Sequence, residues 1–240
     1  MRRALSFLNF VFTTLFLSMV ALSVAPFDKG GNNIHKIARL WAKIYMRIGG
    51  VTVSINGLDR VHQPPYIFMC NHQSALDIHV LLAALPFNFK FIAKRSLFLI
   101  PFFGWALTRA GYISLDRDNP RRALKAIDEA ARSIQAGANI LLFPEGTRNV
   151  DGKLLPFKKG VFSLALKAGV PIVPIGIYGT SALQPEGYQV PLRTGKVVIN
   201  LGEPITIAGK GTSYKDELAQ TVRARIEELR QPGPARTEDK

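Results

Sequence analysis

Cysteine and acidic residues are scarce in this chain of 240 residues. The single cysteine, Cys70, excludes an internal disulfide framework and a zinc site built from several thiolates. Only 17 Asp and Glu stand against 31 Lys and Arg, so the formal net charge is +14. Such an excess predicts attraction to a polyanion: nucleic acid, an anionic membrane or a phosphorylated substrate. The 48% of hydrophobic residues excludes an intrinsically disordered or collagen-like chain.

Charged residues are absent from Ala4 to Phe27, directly after Met1-Arg2-Arg3. As a helix, residues 4–25 would be about 33 Å long, enough to cross a bilayer core of about 30 Å. A cleaved signal peptide has a similar pattern, but the run is long for one and Pro26 follows Ser23-Val24-Ala25, so an uncleaved anchor is favoured. Polar side chains within the run leave open whether the helix spans the bilayer or lies in one leaflet.

Residues 33–48 are predicted to form a basic amphipathic helix, because apolar side chains fall on one face and basic side chains on the other. This helix could cover the protein's own core. Eight basic and two acidic residues among the first 60 favour the membrane interface instead. Residues 1–50 are therefore predicted to be a membrane anchor, and the positive-inside rule weakly favours a catalytic domain that faces the cytoplasm.

From Val51 onwards, short apolar runs alternate with turns and helical stretches, which indicates an α/β domain over residues 51–230. Residues 231–240 are expected to be a disordered polar tail. Strands are predicted at 51–55, 66–70, 111–115, 139–143, 172–177 and 196–201, and helices at 75–85, 120–136, 160–168 and 213–229.

The segment from Asn71 to Asp77 is the sharpest candidate for chemistry. Five residues of a continuous helix turn through about 500°, so His72 and Asp77 can meet only if His72 lies in the turn before a helix that Ser74 caps. Asp77 could then accept a hydrogen bond from one ring nitrogen and leave the other to take a proton from an alcohol. Alternatively Asp77 only caps the helix, since Ser74-x-x-Asp77 is nearly a capping box.

A second candidate, Phe143-Pro144-Glu145-Gly146-Thr147-Arg148, follows the strand predicted at 139–143. Glycine and hydroxyl residues at a strand exit leave backbone N–H groups free, and an arginine there can bind a phosphate through two parallel hydrogen bonds. A plain turn would explain the proline and the glycine but not Arg148. Further basic candidates beside apolar elements are Lys94, Arg117 and Lys158.

Together these elements resemble the 1-acyl-glycerol-3-phosphate acyltransferase family of glycerolipid acyltransferases. The family's motifs are matched in order: His-x4-Asp by residues 72–77, Gly-x-x-Phe/Ile-x-x-Arg by residues 111–117, Phe-Pro-Glu-Gly-Thr-Arg by residues 143–148, and a proline-centred apolar strand by residues 170–175. The second match departs mildly, with Ile113-Ser114-Leu115-Asp116 before the arginine. The resemblance runs from about Val51 to Ile207, and residues 4–48 look like the family's N-terminal helical pair.

The resemblance implies one acyltransferase domain with a central mixed sheet flanked by helices, behind a membrane-associated two-helix element. It implies transfer of a fatty acyl group from coenzyme A or acyl carrier protein to the sn-2 hydroxyl of lysophosphatidic acid, with no cofactor and no metal site. His72 would be the general base and Asp77 its partner. The substrate-binding residues would be Lys94, Arg117, Glu145, Gly146, Thr147, Arg148 and Lys158.

Other interpretations of the same residues remain open. The acceptor could be glycerol-3-phosphate or another lysophospholipid. A membrane-bound nucleic-acid-binding module would use the positive charge, but no recognition helix or known motif gathers the basic residues. A metallohydrolase built on His72 and Asp77 would have only His79 as a further clustered histidine. The expected partners are thus lysophosphatidic acid, an acyl thioester, anionic membrane lipids and, as a donor, acyl carrier protein.

Overall fold

The computed structural model describes residues 2–62, 65–149, 153–185, 187, 190 and 193–232. Within this part of the chain, seven strands form one mixed sheet that is flanked by helices. The predicted α/β architecture is therefore confirmed. The strands are β1 (Val51–Asn56), β2 (Ile67–Cys70), β3 (Lys90–Lys94), β4 (Ile113–Leu115), β5 (Ile140–Leu142), β6 (Ile172–Tyr178) and β7 (Gly195–Leu201).

The helices include both N-terminal segments expected from the sequence and several short connections. They are α1 (Arg2–Val24), α2 (Asn32–Gly49), α3 (Leu76–Ala84), α4 (Arg95–Phe98), α5 (Phe103–Arg109), α6 (Pro120–Gln135), α7 (Lys159–Ala168), α8 (Thr180–Leu183) and α9 (Lys215–Leu229).

The strand order across the sheet is β1-β7-β6-β2-β5-β3-β4. From β6 to β4 all neighbours are parallel, whereas β7 runs antiparallel to β6 and parallel to β1. The carboxyl ends of parallel strands lie at the same edge of a sheet, where ligands bind in open α/β folds. The segments that follow β2, β3, β4 and β5 therefore leave from one edge, and all the predicted site residues except Lys158 lie at or after these strand ends.

Alternate residues of β2 face two different hydrophobic clusters. Phe68 and Cys70 belong to the cluster that includes α2 and α3, and Ile67 and Met69 belong to the cluster formed with α6, α7 and α9. All four side chains are fully buried. A strand in the middle of a parallel sheet is covered on both faces, which is why its sequence is apolar throughout.

The N-terminal helices differ in how much apolar surface they bury. Helix α2 packs against α3 and β1 and buries Ile34 and Tyr45, so much of its apolar face covers the protein's own core. This is the alternative that the sequence left open, although Leu40 and Ile48 remain exposed. Residues 5–27, mostly α1, contain an 18-residue window with a mean hydropathy of 2.0, of which only 17% is buried, and the segment is long and apolar enough to cross a membrane.

Some elements were not predicted. Strand β3 and helices α4, α5 and α8 lack a clear periodic pattern, because each is short and takes its position from neighbouring elements. The strand predicted at 111–115 begins only at Ile113, since Gly111 and Tyr112 close the turn after α5. The division of the chain at residues 50 and 230 stays a prediction, and residues 233–240 of the predicted tail lie outside the described residues.

Candidate active site

His72 and Asp77 meet in the turn between β2 and α3. Nδ1 of His72 lies 2.8 Å from Oδ2 of Asp77, within hydrogen-bond distance. The side chain of His72 is 12% exposed and that of Asp77 is 0% exposed. The two residues can meet because His72 precedes the helix and Asp77 lies in its first turn, so the contact expected from the sequence is present.

The same carboxylate also organises the turn before α3. Oδ2 of Asp77 accepts hydrogen bonds from the backbone N–H groups of Gln73, at 2.7 Å, and Ser74, at 2.9 Å. Oγ of Ser74 accepts a hydrogen bond from the N–H of Leu76 at 3.2 Å. One carboxylate therefore both orients His72 and stabilises the turn before α3. The helix begins at Leu76 with Ala75 as its N-cap, so the cap lies one residue later than the Ser74 cap expected from the sequence.

The imidazole of His72 is fixed on its other side by an aromatic ring. It stacks on Phe143 with ring centroids 3.8 Å apart and planes 14° from parallel. When Nδ1 donates to Asp77, Nε2 carries the lone pair. Within the described part of the chain Nε2 has no hydrogen-bond partner, which leaves it available to a substrate proton.

Glu145, in the segment that follows the neighbouring strand β5, supports this turn. Its Oε1 accepts a hydrogen bond from the backbone N–H of His72, and its Oε2 accepts one from Leu155, both at 2.8 Å. The residue is 2% exposed. Burial raises the pKa of Glu145, against the smaller opposing effect of the two backbone N–H groups. Glu145 thus shapes the site through the backbone, and its direct contact with substrate stays a prediction.

The rest of the segment 143–148 forms a turn beside His72. Gly146 has φ of +74°, and a Cβ there would lie 3.3 Å from Cγ of Lys158. Thr147 and Arg148 are exposed. The N–H of Asn149 donates to the carbonyl oxygen of His72 at 2.9 Å, which holds the Arg148 segment against the His72 turn.

Lys94 and Arg117 lie at the same sheet edge, two and three strands away from β2. The β3–β4 register pairs Lys94 with Leu115, and Arg117 follows two residues later. Both side chains are exposed, as is Lys158. Between described residues, neither these three side chains nor Arg148 forms an ion pair, whereas the nearby Asp116 is engaged by Arg95 and Arg122. The edge therefore presents several basic side chains that have no ion-pair partner among the described residues, although the acidic Asp118 lies close enough to Arg117 to interact with its charge.

Thr180 is a site residue that the sequence analysis missed. It begins α8, which follows β6 after the single residue Gly179, and its Oγ1 donates a hydrogen bond to Oδ1 of Asp77 at 2.5 Å. Because β6 pairs in parallel with β2, its carboxyl end lies beside the His72 turn. A hydroxyl at the exit of this predicted strand was the available signal, but the strand order was not known.

His79 and Cys70 belong to the packing around the site. His79 stacks on Tyr45 with ring centroids 3.8 Å apart, and burial lowers its pKa to about 4. Burial also raises the pKa of the Cys70 thiol well above its usual range, which makes the thiol a poor nucleophile. Among the described residues, no group of three or more His, Cys, Asp or Glu side chains is placed to hold a metal ion.

Known proteins resemble this chain in sequence and in structure. Residues 52–178 match the family model described as Acyltransferase. The 1-acyl-sn-glycerol-3-phosphate acyltransferase BAT2, chloroplastic, of Brassica napus is 41% identical over 185 residues, which are 76% of this chain and 53% of that protein. The 1-acyl-sn-glycerol-3-phosphate acyltransferase of Saccharomyces cerevisiae is 33% identical over 189 residues, which are 78% of this chain and 62% of that protein.

Among solved structures, the crystal structure of the 1-acyl-sn-glycerophosphate (LPA) acyltransferase PlsC from Thermotoga maritima matches with a TM-score of 0.79 and 29% identity. The match covers 98% of this chain and 100% of that one. The chain spans about half the length of the Brassica relative. The matched residues include His72, Asp77 and the turn at 143–148. Because the family model covers more than half of its length, this chain belongs to the Acyltransferase family.

Proposed function

We propose that the protein transfers a fatty acyl group from a thioester to the sn-2 hydroxyl of 1-acyl-glycerol-3-phosphate, which yields phosphatidic acid. The contact of 2.8 Å between Nδ1 of His72 and Oδ2 of Asp77, beside unpaired basic side chains, carries this proposal. It agrees with relatives named 1-acyl-sn-glycerol-3-phosphate acyltransferase at 33–41% identity.

The acyl transfer needs one base. Nε2 of His72 takes the proton of the acceptor hydroxyl while the oxygen attacks the thioester carbonyl carbon. When the tetrahedral intermediate collapses, the C–S bond breaks and the imidazolium returns the proton to the departing thiolate. Asp77 stabilises the imidazolium through the hydrogen bond to Nδ1, so no covalent acyl-enzyme is needed.

The acceptor phosphate is assigned to the positive edge. Arg148 follows the turn that is bonded to His72, and a guanidinium can bind two phosphate oxygens at once. Lys94, Arg117 and Lys158 add positive charge nearby. Gly146 and Thr147 form the turn that presents Arg148, and their contact with the substrate is part of the proposal.

The donor and the membrane complete the proposal. Coenzyme A and acyl carrier protein both remain donors, and the chemistry requires no cofactor because the thioester activates the acyl group. The exposed apolar face of α1 would hold the protein on a membrane, and the basic N-terminal helices would contact anionic lipid headgroups. The catalytic part would face the cytoplasm.

A substrate matrix tests this proposal. The purified full chain is given acyl-CoA or acyl carrier protein thioesters with lysophosphatidic acid, glycerol-3-phosphate or lysophosphatidylcholine, and lipid products are identified by mass spectrometry. The His72→Ala protein is the blank. We expect phosphatidic acid from lysophosphatidic acid as the fastest reaction. A faster reaction with glycerol-3-phosphate would transfer the assignment to that acceptor, and salt-dependent DNA binding without any acyl transfer would contradict it.

A further inference from the structure

We propose that Thr180 is a positioning residue for the His72–Asp77 pair, an inference that rests on the proposed function. Oγ1 of Thr180 donates a hydrogen bond to Oδ1 of Asp77 at 2.5 Å. Both residues are 0% exposed. The hydroxyl therefore acts on the carboxylate in the absence of bulk water, although Thr180 itself does not contact the reacting atoms.

The two oxygens of Asp77 have different partners. Oδ2 receives the ring N–H of His72 and the backbone N–H groups of Gln73 and Ser74. Among described residues, Oδ1 receives a hydrogen bond from Thr180 alone. With both oxygens bound, the plane of the carboxylate is fixed, and Oδ2 stays aimed at Nδ1 of His72.

Hydrogen bonds through Gln184 connect Thr180 to the turn before α3, which is the turn that its hydroxyl supports. The carbonyl oxygen of Thr180 accepts a hydrogen bond from the N–H of Gln184 at 2.9 Å. The carbonyl oxygen of Gln184 in turn accepts one from Oγ of Ser74 at 2.7 Å. At Gly179, φ is +97°, and a Cβ would lie 3.0 Å from the carbonyl oxygen of Lys196, so the tight turn into α8 favours glycine. These contacts fix the backbone at Thr180 and therefore the position of its hydroxyl.

A hydrogen bond from α2 also holds the α8 segment. The hydroxyl of Tyr45 donates to Oε1 of Gln184 at 2.7 Å, so α8 is bonded both to the turn before α3 and to an N-terminal helix. A side chain held from two directions keeps its donor in one place, as a positioning residue requires.

Loss of this donor should change the titration of the pair. A carboxylate that has lost one hydrogen bond is more basic. An imidazolium beside it therefore keeps its proton to higher pH, and the carboxyl group itself is protonated more readily. Both effects move the acid limb of kcat/KM to higher pH. The titratable groups that face Asp77 are His72, His79, Cys70 and Glu145, and they are the same in a Thr180 variant.

Two substitutions separate the hydroxyl from the shape of the side chain. Thr180→Val keeps the volume and removes the donor, whereas Thr180→Ser keeps the donor. We expect Thr180→Val to lower kcat by about 10- to 100-fold, because the lost bond is to a charged group, and Thr180→Ser to stay near wild type. Thr221→Val is the matched control, since the hydroxyl of Thr221 is exposed and bonds only to its own helix.

The experiment records kcat/KM against pH and, on the same ¹⁵N-histidine-labelled proteins, follows the titration of His72 by NMR. We expect a higher pKa of His72 and a higher acid limb in Thr180→Val only. An unchanged His72 titration, or a uniformly lower rate with the limb in place, overturns the inference. The NMR titration tests the role of Thr180 even if no acyl acceptor is found. If the wild-type protein is active and the titration of His72 is the same in Thr180→Val, only the role of Thr180 is refuted, and the proposed function is not.

Discussion

Asp77 is the residue on which both the local fold and the proposed chemistry of the site depend. Its fully buried carboxylate accepts hydrogen bonds from the His72 ring, two backbone N–H groups and the Thr180 hydroxyl. A buried carboxylate stays ionised when such donors stabilise its charge. The charge then stabilises a protonated His72 during the reaction. The structure of the turn and the function of His72 as a base therefore both depend on the carboxylate of Asp77.

Arg148 supplies a test at the scale of one residue. Arg148→Ala should raise the KM for lysophosphatidic acid by about 10- to 100-fold, because a charge-assisted bond to phosphate is lost, with a smaller effect on the KM for the acyl donor. Steady-state kinetics with either substrate varied measure the two effects. Arg121→Ala, an exposed arginine on α6, is the control and should behave as wild type. An unchanged acceptor KM in Arg148→Ala would remove Arg148 from the phosphate site.

The sequence predicted some of these residue contacts and not others, for a physical reason. His72 and Asp77 are five positions apart, so a helix start between them is enough to bring them together. Glu145 and Thr180 lie 73 and 103 positions from the residues that they bind. Those contacts depend on the neighbours of β2 in the sheet, and strand order is decided by packing of the whole domain.

At the scale of elements, α3 connects the site to the N-terminal helices. Asp77 lies in its first turn, and His79 lies in the same helix with its ring against Tyr45 and Trp41 of α2. The ring of Phe10, from α1, also lies beside His79. The position of α3 therefore depends on how α1 and α2 pack against it.

This packing makes a prediction about pH. Burial lowers the pKa of His79 from 6.5 to about 4, so the unfolded chain binds the proton more tightly than the folded protein. The free energy of unfolding should therefore fall as pH decreases from about 6.5 towards about 4. Thermal unfolding of the detergent-solubilised protein between these values measures the slope.

Substitution variants show which histidines cause the fall in the free energy of unfolding at low pH. His79→Phe keeps an aromatic ring in the stack and should reduce the loss of stability at low pH. Part of the loss should remain, because burial also lowers the pKa of His35 to about 4. His62→Phe is the control, since His62 is exposed and should leave the slope unchanged. A slope in His79→Phe that equals that of wild type would contradict the assignment.

Prediction of elements succeeded where the local pattern was strong. The apolar runs of β2 and β6 and the helices α6 and α9 were expected close to their observed bounds. Strand β3 reads Lys-Phe-Ile-Ala-Lys and is half-exposed in places, so it has neither the continuous apolar character of a central strand nor a clear alternation. Its place between β5 and β4 comes from pairing with those strands.

At the scale of the whole molecule, exposed large apolar side chains are concentrated on α1 and on the segment around α5. Leu8 and Phe12 of α1 are 63% and 66% exposed, and Leu99 and Trp105 are 67% and 53% exposed. Helices α1 and α5 contact each other, so these side chains lie on neighbouring elements. Such an extended apolar surface is typical of a membrane contact.

Tryptophan fluorescence tests this membrane contact, because the chain has two tryptophans. In Trp41→Phe only Trp105 remains, and vesicles of brominated anionic phospholipid should quench its emission strongly. In Trp105→Phe only Trp41 remains; it is half-buried with its ring N–H bonded to Thr14, so the quenching should be weaker. Trp105 emission that brominated lipid does not change would contradict membrane contact at α5.

Part of the basic charge of the molecule is gathered in two regions. Eight of the 31 basic residues lie in the first 60 positions, the part of the sequence that contains the apolar α1. Lys94, Arg117 and Arg148 lie at the sheet edge that carries His72. This distribution suits a membrane surface and a phosphorylated lipid better than a nucleic-acid duplex, which would require the charge along one groove-binding element.

The most direct test of the central claim is the turnover of His72→Ala compared with wild type. Both purified proteins are given acyl-CoA and lysophosphatidic acid, and release of free thiol is followed together with the formation of phosphatidic acid. Loss of a general base should lower kcat by about 100- to 10,000-fold, with the protein still folded. A His72→Ala protein that makes phosphatidic acid at close to the wild-type rate would contradict the assignment of His72 as the base.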